Sequence, residues 1–501
     1  MTAISIHETR VLGHGATAKG RHLRVAWRNG QAQIEGRTSC TLGIANGIHA
    51  RWHWDGEKLE ISNCTMGFQP LFWKSDAESI CVSEHLPDLV EANETLDETA
   101  LAVFLRLGFF LGDDTAFVQI RQLPPNSKLS WRPARGADLN RGERPSAPAH
   151  AIERDRAIRI YGELFHRAVE KTLPAPEKGL FLPLTGGRDS RHIAYALKRL
   201  NVAPEAYVTQ RHLPTRVDND ARIAAVLARE LGSPLRVFGQ PGFYVQNLLN
   251  NLSETGYCAD EHGQLEPLRQ WLKEVGARRV YDGIGGDVMS QSSYQNEQLN
   301  DRYRAGELHF VADALLERWR GSTGGWAALL HDDMRQAFSM EKARQRLRDE
   351  LAMHASHHDP LRAFYFWNRT RREIALCFPP REGLDVCMPY LEEDIWHFLE
   401  GLPSDLRCDR RLHTDTILHT YPEWAHIPFE DKSDRRVPSR RESLRFAIDF
   451  LLRAMPLDSP AIDSSALMTR CMGLFFRRAW WSPEMALYLL SLLKKRQNGD
   501  L

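Results

Sequence analysis

The chain of 501 residues has no excess of charge. Lysine plus arginine number 65 and aspartate plus glutamate number 65, so no global attraction to nucleic acid or to an anionic membrane is indicated. No stretch approaches the ~18 uninterrupted apolar residues of a membrane-spanning helix. The longest candidate, 448–457, is broken by Asp449 and Arg453. The first twenty residues hold no apolar run of signal-peptide length, and a cytosolic protein is expected. None of the eight cysteines forms a C-x-x-C pair, which excludes a zinc knuckle or a redox pair of that type. They are expected to be reduced and packed as small hydrophobes. Internal repeats and low-complexity tracts are also missing.

What remains is an ordinary globular balance, 43% hydrophobic and 26% charged, over a length that fits two or three domains. Residues 1 to about 131 read as β-rich, with short alternating runs at 22–27, 48–54, 59–61, 71–73 and 79–82 between glycine and asparagine turns. A short helix fits 97–107, with Asp97 as N-cap. Residues 132–148 are rich in Pro, Gly, Arg and Ala, and a linker is placed at 132–152. A helix follows over 154–171. Beyond it, strands at 180–184, 206–209, 235–238 and from 279 alternate with helices at 190–200 and 218–231. That alternation predicts a parallel sheet with crossover helices. From about residue 300 the pattern is mostly helical.

The sharpest local feature is Leu184-Thr185-Gly186-Gly187-Arg188-Asp189-Ser190. It ends an apolar run and opens a helical pattern. Glycines let the backbone turn tightly and approach a ligand, and free N–H groups at a helix start favour a phosphate. Asp189 would repel a bare phosphate, so its natural role is to hold Mg²⁺. No Gly-Lys-Ser/Thr follows, so this is not a Walker loop, and the glycine spacing does not fit a dinucleotide fingerprint. A second glycine-rich loop, Asp282-Gly283-Ile284-Gly285-Gly286-Asp287, follows the strand that opens at Arg279. Asp287 is placed to share the metal with Asp189.

The first loop resembles the Ser-Gly-Gly-x-Asp-Ser loop of the N-type ATP pyrophosphatases. About a hundred residues further on, asparagine synthetases carry Ser-Gly-Glu-Gly-Ala/Ser-Asp-Glu, with which Asp282, Gly283, Gly285, Gly286 and Asp287 line up. Gly383-Leu384-Asp385-Val386-Cys387-Met388-Pro389-Tyr390-Leu391-Glu392 is similar to that family's Gly-Leu-Glu-x-Arg-x-Pro-Phe-Leu-Asp, with Cys387 in place of arginine. The N-terminal part looks like the family's amidotransferase half at Gly67–Trp73, Ser83-Glu84 and Leu123–Asn126. The resemblance covers nearly the whole chain in the right order.

It implies an α/β protein. An N-terminal αββα amidotransferase-like sandwich (1–131) would precede a parallel-sheet ATP pyrophosphatase domain with a helical C-terminal part (153–501). ATP and Mg²⁺ are the implied cofactors. Leu184 to Ser190 with Asp282, Gly283, Gly285 and Gly286 would bind ATP, and Asp189 and Asp287 the metal. Lys432 sits where the family has a lysine that contacts the α-phosphate.

The departures matter as much. Glutamine-using members begin with a cysteine nucleophile, whereas this chain starts Met1-Thr2-Ala3 and its first cysteine is Cys40. A terminal nucleophile must be at the terminus, so the N-terminal domain is expected to be a degenerate amidotransferase. A related branch of β-lactam synthetases, carbapenam synthetases and lasso-peptide cyclases also lacks that cysteine. Its tyrosine–glutamate base pair would fall on Ile284 and Asp385. Ile284 cannot move a proton, which leaves Asp385, another side chain, or an amine that arrives neutral.

Asp260, Glu261 and His262 are candidate substrate contacts against a plain surface-loop reading. Arg435, Arg436, Arg440 and Arg441 are a basic cluster more ordinarily read as a solvated face. His354, His357 and His358 read as a solvated helix end, and Phe475, Phe476, Trp480 and Trp481 as core or interface. The expected activity is adenylation of a small-molecule or peptide carboxylate followed by amide or macrolactam formation, without glutamine hydrolysis and with neither nucleic acid nor membrane as partner. A homodimer or pathway partner stays open. The alternatives are asparagine synthesis from free ammonia and an inactive scaffold.

Overall fold

The computed structural model describes residues 6–7, 21–43, 47–91, 94–149, 151–173, 179–209, 219–239, 244–260, 262–290, 296–318, 326–378, 383–408, 411–430, 440–455, 461–475 and 483–498. The first part of the chain folds into two antiparallel five-stranded sheets. Their strands alternate inward apolar and outward polar residues. In Ala50–Trp54, for example, Trp52 and Trp54 point inward while Arg51 and His53 face solvent. The inner faces share one core that includes Val25, Ile80, Trp52, Leu59, Leu129 and Trp131. An αββα sandwich would add helical layers outside both sheets. Among the described residues this part has one α-helix, Glu98–Leu107, capped as expected by Asp97, whose Oδ1 accepts from Ala100 N at 3.0 Å.

Residues 136–141 are not linker. Gly136–Arg141 pairs antiparallel with Ser127–Arg132 and closes the edge of one sheet. Only Ala137 and Leu139 interrupt its polar run, and an edge strand needs little more than its ladder bonds.

The second part holds a parallel sheet. Its strands lie side by side in the order Leu235–Phe238, Glu205–Thr209, Leu180–Pro183, Arg279–Tyr281, Asp385–Cys387. The two-residue strand Ile6–His7 adds to the outer edge, pairing in parallel with Val237 and Phe238. The chain therefore builds outward from Leu180–Pro183 on one side, then returns to build on the other. That reversal is a topological switch point, where α/β sheets open a crevice at the carboxyl ends of the strands. Helix Arg154–Lys171 buries Tyr161, Phe165 and Val169, with Tyr161 and Phe165 against the His192 ring, and the C-terminal part is helical. No helix of the described residues is long and apolar enough to cross a membrane.

The two parts are joined by buried polar groups. Asp114 accepts from Arg346 Nε at 2.7 Å, Asn368 Oδ1 accepts from Gly112 N at 2.7 Å, and Arg371 and Arg372 both donate to Gly112 O. His354 and His357, read above as a solvated helix end, are buried in this joint or beside it. His354 Nε2 lies 3.2 Å from Glu350 Oε1, one turn earlier, and 2.6 Å from Arg144 Nη1, a partner that local sequence does not supply.

Candidate functional site

Both glycine loops leave adjacent strands at the switch point. The first follows Leu180–Pro183 and runs into helix Asp189–Arg199, and the second follows Arg279–Tyr281. Thr185 and Ser190 close the first loop on itself, with Thr185 N donating to Ser190 Oγ at 3.0 Å and Gly187 N to Thr185 Oγ1 at 3.1 Å. Asp220, at the start of the next helix, accepts from Gly186 N at 2.6 Å. Arg188 turns away from the loop, donating to Thr414 Oγ1 at 2.6 Å and lying 5.1 Å from the Phe429 ring centre.

The second loop is pressed onto Asp189. A Cβ on Gly283 would lie 2.6 Å from the Asp189 Cβ, and one on Gly286 would lie 2.4 Å from its Oδ1. Gly285 has φ +91°, a backbone shape that strains any other residue. Asp282 Oδ1 accepts from Ile284 N at 3.1 Å. Burial pushes the Asp282 carboxyl up to about 7, against the backbone N–H donors that favour its charged form. Asp282 is exposed only in part, and the cleft is among the surfaces it lines.

The third motif lies behind the other two. Tyr390 OH donates to Asp189 O at 3.3 Å and is 3.0 Å from His413 Nε2, and Leu391 packs on Gly285. His413 Nδ1 is 3.3 Å from Asp189 Oδ1. Burial, then the nearby Arg188, pushes His413 down to about 3, so it is a neutral neighbour of Asp189 at physiological pH.

These groups line one cleft of about 730 Å³. Thr185, Gly187, Arg188, Asp189, Ser190, Asp282, Gly283, Gly285 and Asp287 all face it, as do Asp260 and His262. Leu184 and Gly186 back the loop, Leu184 as core and Gly186 against Asp220 and Ile223. Of its described lining residues, Asp189, Asp220, Asp260, Asp282, Asp287 and Glu430 are acidic and Arg188 is the one arginine or lysine.

One expected residue falls elsewhere, and another is not among the described residues. Asp385 does not line the cleft. It begins its strand opposite Arg279, whose Nη2 is 3.3 Å away, while the carboxyl end of that strand, Cys387, pairs with Tyr281 beside the loop. Parallel register thus puts Asp385 at the end of the strand away from the second loop. Lys432 lies outside the described residues, as do Glu261, Arg435, Arg436, Phe476, Trp480 and Trp481. The segment leading to Lys432 is placed: Glu430 N donates to Gly186 O at 2.9 Å, and Arg191 donates to the carbonyls of Ile427 and Pro428.

Sequence reasoning missed Asp220, Tyr207, Glu430 and His413. Asp220 had a usable signal, an acid at a helix start after the second strand. Tyr207 had none, because which face of a strand meets the cleft depends on register. No protein-family model matches the chain, and no curated protein matches it significantly.

Proposed function

We propose that the protein is an ATP-dependent ligase that activates a carboxylate as its adenylate and passes the acyl group to an amine. The observation that carries this reading is the convergence of two glycine loops on Asp189 at the switch point of a parallel sheet, with Asp287 in the same cleft. Asp189 and Asp287 are hard oxygen donors of the kind Mg²⁺ takes one or two at a time, with phosphate oxygens completing the shell. Mg²⁺ there would neutralise phosphate charge in an otherwise acidic cleft.

The chain's own groups would do the rest. The loop from Thr185 to Ser190 would receive the phosphates on backbone N–H groups and hydroxyls. The glycine contacts of Gly283 and Gly286 fix where the Asp189 carboxylate stands. A carboxylate oxygen of the substrate would bond to the α-phosphorus as the bridging bond to pyrophosphate breaks. An amine would then bond to the acyl carbon as the bond to AMP oxygen breaks, losing one proton. Positioning and charge neutralisation supply most of the rate in such transfers.

The test is the identity of the nucleotide product. Incubation with Mg·ATP, a panel of amino acids, short peptides and other carboxylates, and hydroxylamine as acceptor should give AMP, pyrophosphate and hydroxamate in equal amounts with some acid. ADP and orthophosphate as products would refute the reading.

A further inference from the structure

One side of the cleft carries a buried hydroxyl with acidic residues nearby in the lining. Tyr207 is 1% exposed, lines the cleft, and its hydroxyl has no hydrogen-bond partner among the described residues. Burial raises this phenol well above its usual range, with Asp282 and Cys377 raising it further, and both of those residues line the same cleft. Cys377 Sγ is in turn 3.5 Å from His262 Nδ1, and Asp260 is two residues before His262. Asp282, Tyr207, Cys377, His262 and Asp260 all line this cleft and are taken together as one wall of it. It adjoins the phosphate loop, because Asp282 precedes the glycine packed on Asp189.

A buried hydroxyl without a partner costs free energy unless a ligand satisfies it. It can donate to an acceptor or accept from a donor, and its surroundings choose between these. Carboxylates on this wall oppose an anion and attract a cation. Among the described lining residues the one arginine, Arg188, is turned onto Thr414 and Phe429.

We propose that this wall is the acceptor subsite and that it takes a primary or secondary amine in its ammonium form, held between the Tyr207 hydroxyl and the Asp282 carboxylate with Asp260 as the outer attraction. The proposal rests on the amide-forming reading above and names the class of its second substrate. The ammonium N–H groups would donate to both oxygens, which places the nitrogen beside the loop where the acyl group is formed; one proton would pass to the Asp282 carboxylate to free the lone pair, and the second would leave to solvent as the C–N bond forms and the bond to AMP breaks.

Cys377 reports on this wall without knowledge of the true substrate. The full chain, with Mg²⁺ present, is treated with two methanethiosulfonate reagents of similar size, one ending in trimethylammonium and one in sulfonate. Labelling at Cys377 is followed by peptide mass mapping, and the rate ratio is normalised to that on 2-mercaptoethanol. The cationic reagent should be favoured by about tenfold, as expected for a cleft lined by one sign of charge. Asp282→Asn and Asp260→Asn should each lower the ratio several-fold. Should either variant fail to fold, raising the salt concentration on the unmodified protein should compress the ratio toward one.

A ratio at or below one overturns the proposal. So does a ratio unmoved by Asp282→Asn or by salt, and so does a Cys377 inert to both reagents. Failure of the ligase reading is separate: it would appear as no AMP formation from Mg·ATP, whatever the labelling ratio.

Discussion

The Asp189 carboxylate occupies the space that a side chain on Gly286 would need: a Cβ there would sit 2.4 Å from Oδ1 and 2.8 Å from Cγ. The position of the acid proposed to hold Mg²⁺ is thus set by the absence of a side chain on the opposite loop. Gly286→Ala should therefore displace Asp189. Overpacking of this kind costs about 1–3 kcal/mol, visible as a lower Tm. Misplacement by about 1 Å should lower AMP formation on the order of 100-fold. An alanine variant with unchanged Tm and rate would show that the two loops do not meet in this way.

The backbone bond from Glu430 to Gly186 O brings the chain to the first glycine loop two residues before Lys432. A cation acting on the developing charge is worth about 100- to 1000-fold in rate. Lys432→Ala should lose that much kcat while its Tm stays within a degree or two of the parent. A loss confined to KM would instead assign Lys432 to ground-state binding.

Asp385 faces Arg279 and not the cleft. Asp385→Asn should change turnover by less than about threefold, in keeping with a surface substitution worth about 0.5 kcal/mol. A loss of a hundredfold or more, with the ascending limb of the pH–rate profile removed, would return Asp385 to the role of base.

Burial, helped by Arg144, pushes the His354 imidazole from 6.5 down to about 4 against the pull of Glu350. A group held neutral in the native state adds stability that is present above 6.5 and is lost as pH falls through 4. The displacement corresponds to about 3 kcal/mol. Glu350, held well below its usual range by His354, Arg144 and Arg346, adds a further loss below about 4.5. Asp282, raised to about 7, has the opposite sign: its contribution improves as pH falls from 7 toward 4. The informative comparison is thus between the parent and His354→Asn. Denaturant unfolding from pH 7 to pH 4 should show the difference between them shrinking by a few kcal/mol. A constant difference would mean that folding does not shift the His354 imidazole, and a difference that grows as pH falls would mean that it is held charged in the native state.

Much of the parallel sheet was legible because its strands are short apolar runs bounded by loops, such as Leu235–Phe238, which the structure reproduces residue for residue. Helix Arg154–Lys171 was equally plain from its apolar stripe. Asp385–Cys387 was not legible as a strand, since three residues carry no period and only the ladder with Arg279–Tyr281 defines it. Gly136–Arg141 failed for the reason common to edge strands, little burial and hence little pattern. The two loops could be read from glycine and acid spacing, and most of their residues line one cleft, with Leu184, Gly186 and Gly286 behind it. The partners of those loops could not. Tyr390, His413 and Asp220 reach the site by tertiary packing, and His354 meets an arginine 210 residues away.

The central claim concerns where ATP is cut, and isotope exchange between labelled pyrophosphate and ATP tests it most directly. With Mg²⁺ and a suitable carboxylate, and no amine, label should enter ATP at a rate that depends on the acid and disappears in Asp189→Asn. Exchange that is absent with every acid, or equally fast in Asp189→Asn, would contradict it.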